Sequence, residues 1–171
     1  MFRLLNKKKK DNKGFSLVEL VIAIAIMAIL VGILAPQYTK YVEKSRKAAD
    51  ASNMDEMVKV VKVYAADPAN ELAVGTYTIT ITTDDGTKFS PDPIPQGLKA
   101  ELDASIPNWT ATTTKSKKWS ADGKATSIIA YVTVNAEGGT SVTYATGDVA
   151  TDTANNKFAQ YMSSGEAKAK E

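Results

Sequence analysis

Residues 17–35 form an uninterrupted apolar run, LVELVIAIAIMAILVGILA, in which Glu19 is the only charged residue. Nineteen residues fall close to the roughly 20 that a helix needs to cross a bilayer. The run is too long and too evenly apolar to be one face of a small soluble helix. It therefore commits the start of the chain to helix and to an apolar surrounding. A charged side chain at the centre of such a span costs roughly 2.5–3.5 kcal/mol on insertion scales, so a retained carboxylate there points to use. Two roles stay open for Glu19 at this point: a pairing role inside the apolar phase, or snorkelling to the headgroups.

Charge around the run is uneven. Residues 1–14 hold Arg3, Lys7, Lys8, Lys9, Lys10 and Lys13 against Asp11, a net +5. The whole chain is +2, so the remaining body carries −3. The pI of 8.6 belongs to the leader and not to the body. Cations directly before an apolar span set it with its N-terminal flank in the cytoplasm. The body then lies on the outer side, and its charge argues against nucleic acid as a partner. The chain has no Cys and no His. That removes disulfide staples, thiol nucleophiles, Ser-His-Asp triads and the usual zinc sites.

A secretory signal peptide would have a shorter apolar core and a small-x-small exit. Here the best exit, after Ala35, is followed by Pro36. A plain anchor explains the lysines and the apolarity, but not Glu19 or the Gly14-Phe15 pair at the boundary. Residues 13–36, KGFSLVELVIAIAIMAILVGILAP, resemble the class III signal of type IV pilins and related pseudopilins. The shared elements are Gly14, then Phe15, Glu19 as the fifth residue counted from Phe15, and Pro36 as the twenty-second.

That resemblance implies a fold, a maturation and a function. A prepilin peptidase would cut between Gly14 and Phe15 and N-methylate Phe15. The helix would remain in the membrane until the assembly machinery drew it into a fibre of identical subunits. Glu19 would pair with the Phe15 amine of a neighbour, neutralising a buried carboxylate and setting axial register. The implied product is a structural subunit of a cell-surface pilus, with no catalytic residue, cofactor or metal. The alternative is a minor pilin or a pseudopilin of a type II secretion or DNA-uptake system. Adhesion and motility share this design. Better-known Gram-negative pilins close a C-terminal loop with a disulfide. The absence of Cys departs from them and suggests a Gram-positive type.

Helical spacing continues past the run. Tyr38, Tyr41, Ser45, Ala48, Ala51, Met54, Val58, Val61 and Ala65 recur every three or four residues, with charges filling most other positions. Asp67-Pro68 ends the pattern. Residues 15–66 as one helix would extend about 78 Å. Pro36 removes the hydrogen bond to the Gly32 carbonyl and predicts a bend or local unwinding between them. The stripe predicts packing on a sheet, with Tyr38 and Tyr41 as alternative membrane-interface anchors.

From Gly75 the pattern alternates. Residues 76–82 predict a strand with Tyr77, Ile79 and Ile81 on one face, and Asp85-Gly86 a turn. Residues 90–97 predict loop, 98–106 a short helix, and 109–114 a strand. Residues 125–135 and 140–145 predict a hairpin turning at Glu137-Gly138-Gly139. Residues 154–162 predict a short helix or a last strand, and 163–171 a loose tail. The expected fold is α+β, a long N-terminal helix on a small antiparallel sheet. The organisation is a removable leader at 1–14, an assembly helix at 15–36, its amphipathic continuation at 37–67, and a β-rich head at 68–171. Asp84/Asp85 read as a turn and not as a catalytic pair. Asp148 and Asp152 show no metal-loop spacing. Trp109 and Trp119 read as core and not as glycan platforms.

Overall fold

The computed structural model describes residues 14–70, 72–119, 127–147 and 156–164. The basic residues 3–13, together with Asp148 and Asp152, lie outside the described residues, as does the tail from 165. The fold is α+β: a long N-terminal helix and a four-stranded antiparallel sheet. Two compact units divide the chain, Met1–Lys40 and Tyr41–Glu171. Helix α1, Leu17–Ala66, contributes to both.

In the first unit α1 is apolar around its whole circumference. No part of its apolar window is buried, and it is the one described helix long and apolar enough to cross a membrane. Helical structure runs unbroken through Gly32 and Pro36, so the expected unwinding is not seen. The Thr39 hydroxyl donates to the Pro36 carbonyl at 2.9 Å, one side-chain partner for backbone in this turn.

In the second unit the rest of α1 becomes one-sided. Ala51, Met54, Met57, Val58, Val61 and Ala65 are buried. Each fully buried Met or Val contributes on the order of 1.5–3 kcal/mol. The helix ends at Ala66, just before the predicted Asp67-Pro68 stop. The Asp67 carboxylate then accepts the Ala69 N–H at 2.9 Å, closing a local turn.

Four strands follow: β1 Gly75–Thr82, β2 Thr87–Ser90, β3 Ser127–Val134 and β4 Thr140–Thr146. Their order is β2-β1-β3-β4, every pair antiparallel. Tyr77, Ile79 and Ile81 of β1 face the core as the alternation requires. They share one apolar cluster with Ile128, Ala130, Val132 and Val134 of β3 and with the α1 stripe. The two hairpin turns rest on glycines with positive φ. Gly86 has φ +75, and a Cβ there would run into the Thr110 carbonyl. Gly138, also at φ +75, would carry a Cβ 2.9 Å from the Ala65 carbonyl.

Helix α2, Gln96–Ser105, starts two residues before the predicted helix and buries Leu98 and Leu102. Residues 109–114 are not a strand. Trp109–Ala111 form a single 3-10 turn after Asn108, which sits in the left-handed region at φ 60. The Trp109 indole N–H donates to Asp103 at 2.9 Å, and its ring meets Phe89 edge-on. Those anchors override the local preference of Trp and Thr for extended chain. The last segment resolves to helix. In α3, Lys157–Ser164, Asn156 accepts the Ala159 N–H at 3.0 Å as an N-cap.

Candidate functional site

The first site is the start of α1. Gly14 has open space around it, and Phe15 is 90% exposed. The large side chains from Leu17 to Leu34 are each more than half exposed. Gly32 and Pro36 both lie within the helix, and a Cβ at Gly32 would meet nothing. Glu19 is not idle here. Its carboxylate accepts the backbone N–H of Ser16 at 2.8 Å, and the Leu20 N–H closes the first turn on the Ser16 carbonyl at 3.1 Å. Ser16-Leu17-Val18-Glu19 thus carries the Glu half of a capping box. The carboxylate satisfies a donor that the helix leaves open and faces the positive end of the helix dipole. The S-x-x-E spacing holds that information in the sequence.

The second site lies in the head, where α1 turns charged residues inward. Lys47 and Asp50 are buried, although the helical stripe assigned charged positions to solvent. Tyr41, Ser45 and Ala48, expected on the packed face, are exposed in the single chain, and Tyr38 is too. Asp50 is the centre of the arrangement. It accepts the Lys115 N–H at 2.6 Å, the Ser116 N–H at 2.9 Å and the Trp119 indole N–H at 2.8 Å. The Ser116 hydroxyl donates in turn to Glu43. One carboxylate on the helix therefore pins a loop 65 residues further on.

Trp119 is packed from several sides. The Lys47 ammonium stands 5.0 Å from its ring centroid. Phe158 and Tyr161 of α3 meet it edge-on at 4.9 and 5.6 Å. Both Trp109 and Trp119 are thus core residues, 3% and 1% exposed. Burial raises the Asp50 pKa, and the three hydrogen bonds only partly oppose it. Burial, and then repulsion from Lys157, lowers that of Lys47.

Asp84 and Asp85 sit in the bend between β1 and β2. Asp85 pairs with Lys88 at 3.5 Å on the surface, which fits a turn. Among the described residues no three Cys, His, Asp or Glu side chains gather as a metal site.

Residues 9–35 match the family model described as the prokaryotic N-terminal methylation motif. This is the class III signal of type IV pilin-like and pseudopilin precursors. It spans Gly14, Phe15, Glu19 and Gly32, and its apolar part is the exposed half of α1. No curated protein and no solved structure matches the chain. The motif and the apolar helix together fit anchoring in a membrane before assembly.

Proposed function

We propose that the chain is the structural subunit of a type IV pilus. A prepilin peptidase removes residues 1–14 by cutting between Gly14 and Phe15, and methylates the new Phe15 amine. The apolar half of α1 waits in the membrane and then packs into the fibre with identical subunits. The observation that carries this reading is the methylation motif lying on a helix whose apolar window is unburied among the described residues. Such a surface is stable only in lipid or against other apolar helices.

Glu19 serves the subunit twice in this reading. In the single chain it caps its own helix through Ser16. In the fibre it meets the Phe15 amine of a neighbour, and methylation leaves that amine charged, so the pair survives the modification. Gly32 and Pro36 mark the turn with the weakest backbone ladder, the natural place for α1 to adjust on assembly. The fibre stands outside the cell, with the head exposed. Processing, membrane residence and assembly are equally consistent with a minor pilin or a pseudopilin of a type II secretion or DNA-uptake system.

Mass and sequence of the native N-terminus test the maturation. A chain starting at N-methyl-Phe15 is expected. A bulkier side chain at Gly14 is expected to block cutting and leave the full 18.3 kDa. A native protein that keeps residues 1–14 refutes the assignment. Composition of sheared fibres separates the two finer readings: a pilus subunit is their main component, and a minor pilin or pseudopilin is present at trace level.

A further inference from the structure

The head carries −3 overall with the rest of the mature chain, yet one part of its surface is strongly basic. Ser45, Arg46 and Ala49 of α1 face Thr114, Lys115 and Lys117 across an open hollow of about 510 Å³. The small side chains of Ser45 and Ala49 leave the space. Three cations and two hydroxyls line it.

What sets it apart is that three cations gather around one hollow on a loop that is held in place. The other described head lysines in ion pairs have carboxylates three or four residues away, as Lys59 has Asp55, Lys88 has Asp85 and Lys99 has Asp103. Lys115 and Lys117, like Lys44, Lys62, Lys118 and Lys157, form no ion pair among the described residues. Arg46 has a long contact to Glu43, 3.9 Å, at the carboxylate oxygen that does not accept the Ser116 hydroxyl. The loop is also held in place. Asp50 accepts the N–H groups of Lys115 and Ser116, and the Ser116 hydroxyl accepts the Lys118 N–H at 3.1 Å. An anion entering the hollow therefore meets cations on a backbone that is already ordered, which lowers the entropic cost of binding.

We propose that this hollow binds the phosphate groups of a polyanion drawn across the head. Arg46 supplies a planar two-pronged donor, and Lys115 and Lys117 supply point charges on either side of Ser116. Ser45 adds a hydroxyl donor, while the Thr114 hydroxyl already donates to that of Thr83 at 3.3 Å. The hollow is open, so it suits a segment of a polymer better than an enclosed small molecule. No aromatic ring is among the described residues that line it, and Trp119 is buried under Lys47, Phe158 and Tyr161. A nucleobase would find no ring to stack on among those lining residues. The ligand class is a phosphate-rich chain recognised by charge.

The test uses the full chain in nonionic detergent micelles and fluorescently labelled linear polyphosphate at low salt. Saturable binding that weakens steeply as salt rises is expected. Lys115→Gln with Lys117→Gln should weaken it about tenfold. Its melting curve should move little, because Asp50 holds the loop through backbone N–H groups and the Lys115 charge is the last of the influences on that carboxylate. Lys59→Gln with Lys62→Gln removes the same charge elsewhere on α1 and should bind as wild type. Equal loss in both pairs, or wild-type affinity in the first, overturns the site. Inorganic phosphate binding as tightly per phosphate removes the need for a polymer. Displacement of polyphosphate by phosphatidylglycerol doped into the micelles makes the ligand a lipid headgroup and sinks the proposal as stated.

Discussion

The two halves of α1 share one backbone geometry and carry opposite surfaces. Up to Lys40 the helix exposes nearly everything apolar that it has: Leu20, Ile22, Ile26, Leu30 and Leu34 are all more than half exposed. From Ala51 to Ala65 it buries Met54, Met57, Val58 and Val61 to 1% exposure or less. The first half is apolar all round, so no single neighbour can cover it, and it calls for lipid or a bundle of like helices. The second half has one stripe and finds its cover in the strands of its own chain. Apolar content alone does not separate them. The arrangement of that content around the helix does.

The sharpest way to break this contrast is to remove the same kind of mass from each half. Met54→Ala empties a site with no exposed surface and should cost the head about 2–5 kcal/mol. Ile26→Ala should leave head stability within about 0.5 kcal/mol of wild type, because the side chain touches no core. Thermal melts of the two variants in the same detergent check both. Equal destabilisation would mean that the apolar half is folded into the head after all.

The second contrast is between the two carboxylates, Asp50 and Glu19. Asp50→Ala strands two buried donors, the N–H groups of Ser116 and Trp119, and the part-buried N–H of Lys115. A loss of about 3 kcal/mol is expected, with the 114–119 loop exchanging its amide protons faster. The pH dependence is smaller and has a definite sign. Burial holds the folded Asp50 pKa above that of the unfolded chain. The folded head therefore binds this proton more tightly. The contribution is full below the unfolded value of about 3.9 and is lost as pH rises through the folded one. Glu43, Lys47 and Lys115 surround the group, so the comparison must be made against Asp50→Asn. The stability gap between wild type and that variant should widen on acidification from neutral pH. A gap that narrows would mean that the three hydrogen bonds outweigh burial.

How much of this was readable beforehand follows from where the partners lie. The stripe from Ala51 to Ala65, the alternation of β1 and the positive φ of the two turn glycines are local features, and the sequence pattern announces them. Residues 13–36 announce the methylation motif for the same reason, since every element of it is local. The hydrogen bonds from the 115–119 loop to Asp50 are not legible in the sequence. Asp50 and Lys47 look like solvent-facing charges on an amphipathic helix, and the donors that draw Asp50 inward come from a loop 65 residues away. The 3-10 turn at Trp109 is hidden likewise, because Asp103 and Phe89 hold an indole that local propensity would place in a strand. The Glu19 cap was legible in the S-x-x-E spacing, but it was obscured by the more conspicuous fact of a charge in an apolar run.

The smallest expected change in stability is also the most discriminating about function. Glu19→Gln keeps a side-chain oxygen at the same reach, and Gln serves in a capping box much as Glu does. The Ser16 N–H stays satisfied, the start of α1 persists, and head melting should not move by a measurable amount. What the substitution removes is the negative charge. If Glu19 is only a cap, processed subunits of the variant should assemble as well as wild type. If its charge neutralises the methylated amine of Phe15 on the next subunit, cutting and methylation should proceed while fibre yield collapses. We expect the collapse. An uncharged cap leaves an unpaired cation among apolar helices, which costs several times the few tenths of a kcal/mol that a changed cap would. Fibre yield set against N-terminal mass for this one variant separates the role that Glu19 plays within its own chain from the role proposed for it between chains.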